Sequence, residues 1–122
     1  MFCSGKQQMI DVSQSLNYES LAGLLDNFWK ISGEKIAKLE AERNSEDGTP
    51  VFTINGQYVA QGWTEWTQGF QFGSAILQYD ATGNSDFLDS GRQATVDKMA
   101  SHVTHFGVHD HGFNNVSTYG AL

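Results

Sequence analysis

The residues best suited to chemistry lie together in His109-Asp110-His111-Gly112-Phe113. A carboxylate between two imidazoles has its proton affinity set by close neighbours, and groups perturbed in this way concentrate at functional sites. Asp110 is therefore the candidate catalytic residue. All four histidines, His102, His105, His109 and His111, fall in the same stretch. His102 and His105, three apart near a helix end, have a spacing that could chelate zinc or iron, but a closed site needs three or four converging ligands and no matching ligand motif is present. The simpler expectation is that these two rings satisfy free carbonyls at a helix C-terminus, and that Asp110 caps the helix after it. No metal and no cofactor are expected, and a histidine-cluster metal-binding protein stands as an alternative function.

A second constellation is Trp63-Thr64-Glu65-Trp66-Thr67-Gln68-Gly69-Phe70. Binding pockets combine aromatic walls with a few placed polar groups, and an indole can lie against the C–H face of a sugar while Glu65, Thr67 or Gln68 bonds its hydroxyls. Both tryptophans could equally be core. A helical interaction module without catalytic activity would follow from that.

These residues must be positioned by a small domain. The chain has 122 residues, 14 acidic and 7 basic, for a formal charge of -7. That charge would be repelled by a phosphate backbone or an anionic membrane, so nucleic acid and membrane partners are not expected. Cys3 is the only cysteine, which excludes an internal disulfide and favours a cytoplasmic location. Met1 to Gln14 has no apolar run and reads as neither signal nor anchor.

From Asn17 to about Arg43, Leu21, Leu24, Leu25, Phe28, Ile31, Ile36 and Leu39 recur at helical steps, with Asn17 as N-cap and the turn-rich Asn44 to Pro50 as the stop. Asn55-Gly56 between Val51–Ile54 and Gln57–Ala60 predicts a β-hairpin. A second helix is expected over Thr67–Thr82, stopped by Gly83, with Gly69 and Gly73 marking close packing. A third, capped by Asn84 or Ser85, should bury Phe87, Leu88, Gly91, Ala94, Met99 and Val103 and pair antiparallel with the second. Phe113 to Leu122 reads as the opening of a fourth helix that breaks off mid-element.

Glu65-Trp66-Thr67-Gln68-Gly69-Phe70, Tyr79-x-x-Thr82-Gly83 and His109-Asp110-x-Gly112-Phe113 together resemble the N-terminal third of the unsaturated glucuronyl hydrolases, glycoside hydrolase family 88 and related uronyl hydrolases and glucuronidases. The resemblance runs from Trp63 to Tyr119. It implies an all-α fold, the N-terminal part of an (α/α)6 toroid of six helical hairpins, with residues 1–122 a partial catalytic domain truncated at its C-terminal end. It gives Asp110 the role of one of two essential acids and sets Trp66 near the substrate. The family's second aspartate has no counterpart here, so the isolated chain is expected to be inactive and, with apolar faces uncovered, to self-associate. The implied substrate is an oligosaccharide with a non-reducing-end unsaturated or saturated glucuronyl residue. His109 could donate to Asp110 or to the substrate carboxylate, and Trp63, Glu65 and His111 complete the candidate substrate-binding set. Gln68, Gln71 and His111 depart from the family's pattern.

Overall fold

The computed structural model describes residues 16–42 and 48–122. Cys3, the segment Met1 to Gln14, and Arg43 to Asp47, where the first helix was expected to stop, lie outside the described residues. The described chain is mostly helical with one two-stranded antiparallel hairpin. An all-α domain with a short hairpin is what the patterning predicts. Among the described residues the helices do not form the expected (α/α)6 toroid. Among the described residues, no helix is long and apolar enough to cross a membrane.

Helix α1 spans Tyr18–Glu42. Its start is fixed reciprocally: Asn17 Oδ1 accepts the Ser20 N–H at 2.9 Å, and Ser20 Oγ accepts the Asn17 N–H at 3.2 Å. Strands β1 (Pro50–Ile54) and β2 (Gln57–Ala60) pair with Ile54 opposite Gln57. The turn needs positive φ at both central residues, and Asn55 (51°) and Gly56 (76°) supply it. The hairpin is tied to the next element by Thr49 Oγ1 and Thr67 Oγ1, 2.7 Å apart.

Helix α2 spans Thr67–Thr82 and ends in left-handed Gly83, whose N–H donates to the Tyr79 carbonyl at 2.7 Å. Helix α3, Ser85–Lys98, starts where Asn84 Oδ1 accepts the Asp86 N–H at 3.0 Å. The link is short, and Gly91 lies against Phe72 and Ile76, so α2 and α3 form an antiparallel hairpin. Phe72, Ala94 and Met99 are its buried centre.

The third helix does not continue through Val103. It stops at Lys98, Met99 is fully buried, and a separate short helix α4 covers Ala100–Thr104. Burying Met99 against Phe72 and Ala94 turns the following residues, so His102 points inward and Val103 is exposed. The fourth expected helix also differs. It is α5, His111–Ser117, begins two residues earlier than Phe113 and does not run to Leu122. Thr118 Oγ1 donates to the Asn114 carbonyl at 2.6 Å, and the Gly120 N–H closes on the Asn115 carbonyl at 2.9 Å. These bonds end α5 at Ser117, short of the helix expected to run on to Leu122.

Candidate functional site

Helices α2 and α5 pack closely because α2 offers two glycines. A Cβ on Gly69 would lie 2.3 Å from Asn114 Cα, and one on Gly73 would lie 2.2 Å from the Ser117 carbonyl oxygen. The close packing expected of this glycine pair is therefore realised, with α5 as the partner. It brings the two chemically rich stretches together. Trp66, Phe70, Phe113 and Asp110 line one open-sided cleft of about 460 Å³. Trp66 meets Phe70 edge-on at 5.6 Å, and Phe70 and Phe113 are 6.3 Å apart at 32°.

Asp110 stands at the N-cap position of α5 but makes no side-chain capping bond. The reason is its backbone: φ -65° and ψ -13° are helical, whereas a capping residue is usually extended. The part-buried carboxylate is instead 3.1 Å from Nε2 of the exposed His109. Asp110 thus has one polar wall and three aromatic neighbours in the cleft.

Behind the cleft the other three histidines form a chain. His102 Nδ1 is 3.0 Å from His111 Nδ1, and His111 Nε2 is 2.8 Å from His105 Nδ1. His102 Nε2 is 3.2 Å from Gln68 Oε1. Asn114 sets the direction of this chain. Its Oδ1 accepts the Gly69 N–H at 2.7 Å and its Nδ2 donates to the Glu65 carbonyl at 3.1 Å, so the amide cannot turn over without losing both. The remaining Nδ2 proton faces His102 Nδ1 at 3.2 Å. His102 Nδ1 is therefore an acceptor, its Nε2–H donates to Gln68, His111 donates from Nδ1, and His105 donates from Nδ1.

His102 and His111 are both buried. Burial, then the neighbouring His111 and His105, holds the His102 pKa below its ordinary value. For His111, burial and then His105 lower the pKa, against Asp110, which raises it. The indole of Trp63 covers the group, stacked on His111 at 5.9 Å and edge-on to His102 and His105 at 5.3 and 5.0 Å.

The sequence candidates therefore divide. Asp110 and Trp66 meet at the cleft, and the exposed His109 adjoins it through Asp110. Trp63 and His111 belong to the histidine chain behind it, and Glu65 supplies a main-chain oxygen to Asn114. The rings of His102 and His105 bond to side chains rather than to the carbonyls of a helix end. Phe70, Phe113 and Asn114 are additional site residues. For Asn114 the available signal was the glycine pair, since Gly69 is bare where Asn114 approaches. His111 uses opposite nitrogens towards His102 and His105, so the three rings do not converge on one point. Among the described residues no group of three or more His, Cys, Asp or Glu side chains is placed to hold a metal ion.

No protein-family model, curated protein or solved structure matches this chain.

Proposed function

We propose that this chain forms one side of the substrate site of a glycoside hydrolase acting on uronic-acid-containing oligosaccharides, at a non-reducing-end unsaturated or saturated glucuronyl residue. One observation carries the proposal: Trp66 and Asp110, from separate stretches, line the same aromatic-walled cleft. A sugar ring packs its C–H faces on Trp66, Phe70 and Phe113, leaving its polar edge to Asp110. His109, exposed at 3.1 Å from Asp110, is the donor available to a uronide carboxylate.

For an unsaturated uronide the reaction is hydration. An acid protonates the enol-ether double bond at C4, water adds at C5 with loss of its proton to a base, and the resulting hemiketal opens and expels the aglycone. Two carboxyl groups in different environments serve that sequence, one donating and one ionised. Asp110 is one of them in this proposal. Among the described residues no second carboxylate lines the cleft, so the chain alone binds sugar and does not turn it over. The antiparallel α2–α3 hairpin is the unit that repeats in an (α/α)6 toroid, and the proposal places it in such a barrel.

The test is calorimetric titration with a 4,5-unsaturated glucuronyl disaccharide. Saturable binding that weakens at least tenfold in Trp66→Ala, equivalent to about 1.4 kcal/mol, supports a cleft site. Equal affinity in wild type and variant contradicts it.

A further inference from the structure

Asn114 holds the cleft's two walls together. Through Glu65 and Gly69 it grips the turn and first residues of α2 that carry Trp66 and Phe70, while its own helix carries Phe113 and follows Asp110. It also orients the histidine chain, whose middle member His111 adjoins Asp110. Every internal acceptor in the chain is in use. His102 Nδ1 faces donors on Asn114 and His111, and His111 Nε2 faces the donor on His105. A proton added at His105 Nε2 preserves all these bonds, whereas one added to His102 or His111 sets a donor against a donor at 3.2 Å or less.

We propose that Asn114 and the His102–His111–His105 chain form an acid-sensitive latch on the cleft: it holds α5 against the start of α2 while His102 and His111 are neutral, and proton uptake releases α5 and opens the cleft. The latch operates whatever ligand the cleft takes. Asp110 acts on His111 from the turn before α5, with the exposed His109 3.1 Å from its carboxylate; Glu65, in the turn before α2, contributes its main-chain oxygen to Asn114; Asp97 and Lys98, at the end of α3, are exposed. The Asp110 carboxylate favours a charged His111, and burial and His105 oppose it.

Long-range 1H–15N spectra of the histidine rings test this directly. At pH 8 the expected forms are Nε2–H for His102 and Nδ1–H for His105 and His111. On acidification the Gly69 amide and the Trp66 indole should shift at the pH where His102 and His111 take up protons. Gln68→Glu sets a carboxylate against His102 Nε2–H, favours the imidazolium while leaving the Asn114 contacts in place, and should raise the opening half-point by about one pH unit or more. If that variant does not fold, the wild-type titration alone decides, through the tautomers and the movement at Gly69 and Trp66. Opposite tautomers, a half-point unmoved by the variant, or imidazole protonation without movement at Gly69 and Trp66 would each overturn the latch.

Discussion

Gly69 and Asn114 touch backbone to backbone: a Cβ on Gly69 would lie 2.3 Å from Asn114 Cα, and the Gly69 N–H donates to Asn114 Oδ1 at 2.7 Å. The absence of a side chain on α2 is what lets α5 bring Asp110 and Phe113 to Trp66 and Phe70. Gly69→Ala must therefore push the helices apart, at a cost of about 3 kcal/mol. Gly23→Ala is the control, because nothing lies within 4 Å of that position in α1, and it should stabilise by about 0.5–1 kcal/mol. Urea unfolding of both variants measures the contrast.

Removing the Asn114 amide should cost as much as removing a core side chain. Asn114→Ala strands the Gly69 N–H and takes one partner from the Glu65 carbonyl and from His102 Nδ1, in a residue with no exposed surface. Unsatisfied buried groups cost about 1–3 kcal/mol each, so a loss of about 3 kcal/mol or more is expected. Asn114→Leu, similar in volume, should lose a comparable amount if the hydrogen bonds rather than the packing dominate. Thermal melting of the pair separates the two contributions.

Stability should fall in mild acid. The pKa values of His102 and His111 are lowered in the fold, so the unfolded chain binds protons at these sites more readily than the native one. The stability they contribute is fully present above their unfolded pKa of about 6.5 and is lost as pH falls from there towards the lowered folded values. The midpoint of urea unfolding should decrease between pH 7 and pH 5. His102→Gln, which cannot take up the proton, should flatten that slope.

Asp110→Asn should leave the fold unchanged while removing the charge on which the proposed chemistry depends. Because Asp110 makes no capping bond, its replacement should alter stability by no more than about 0.5 kcal/mol. Asparagine caps about as well as aspartate, so Asp110→Ala tests capping: a loss of about 1 kcal/mol there, the usual cost of deleting an N-cap, would show that the side chain caps α5 in solution. In a chain completed by a second acid, the same variant should abolish uronide turnover with its melting temperature unchanged.

Local signals were legible in the sequence wherever one residue type has one favoured backbone role. Asn17, the Asn55-Gly56 turn, the Gly83 stop and the Asn84 cap all act as their types predict. Tertiary contacts were less legible. The helical spacing from Phe87 to Val103 is unbroken in sequence, but burial of Met99 interrupts it in space and turns His102 rather than Val103 inward. Asp110 and Trp66 were singled out by their types and neighbours, and the fold brings both to one cleft. Asn114 was not, because its importance comes from partners at Glu65, Gly69 and His102, distant in sequence. The histidine cluster was visible as composition, and only the geometry distinguishes a directional chain from a set of ligands.

The most direct test of the cleft as a uronide site is the Trp66 indole Nε1–H resonance during titration with a 4,5-unsaturated glucuronyl disaccharide. The account predicts a saturable shift at Trp66 with Trp29 unmoved, and a weaker response to the neutral glucosyl analogue. Shifts confined to Trp29, or none at any indole while the fold stays intact, would contradict it.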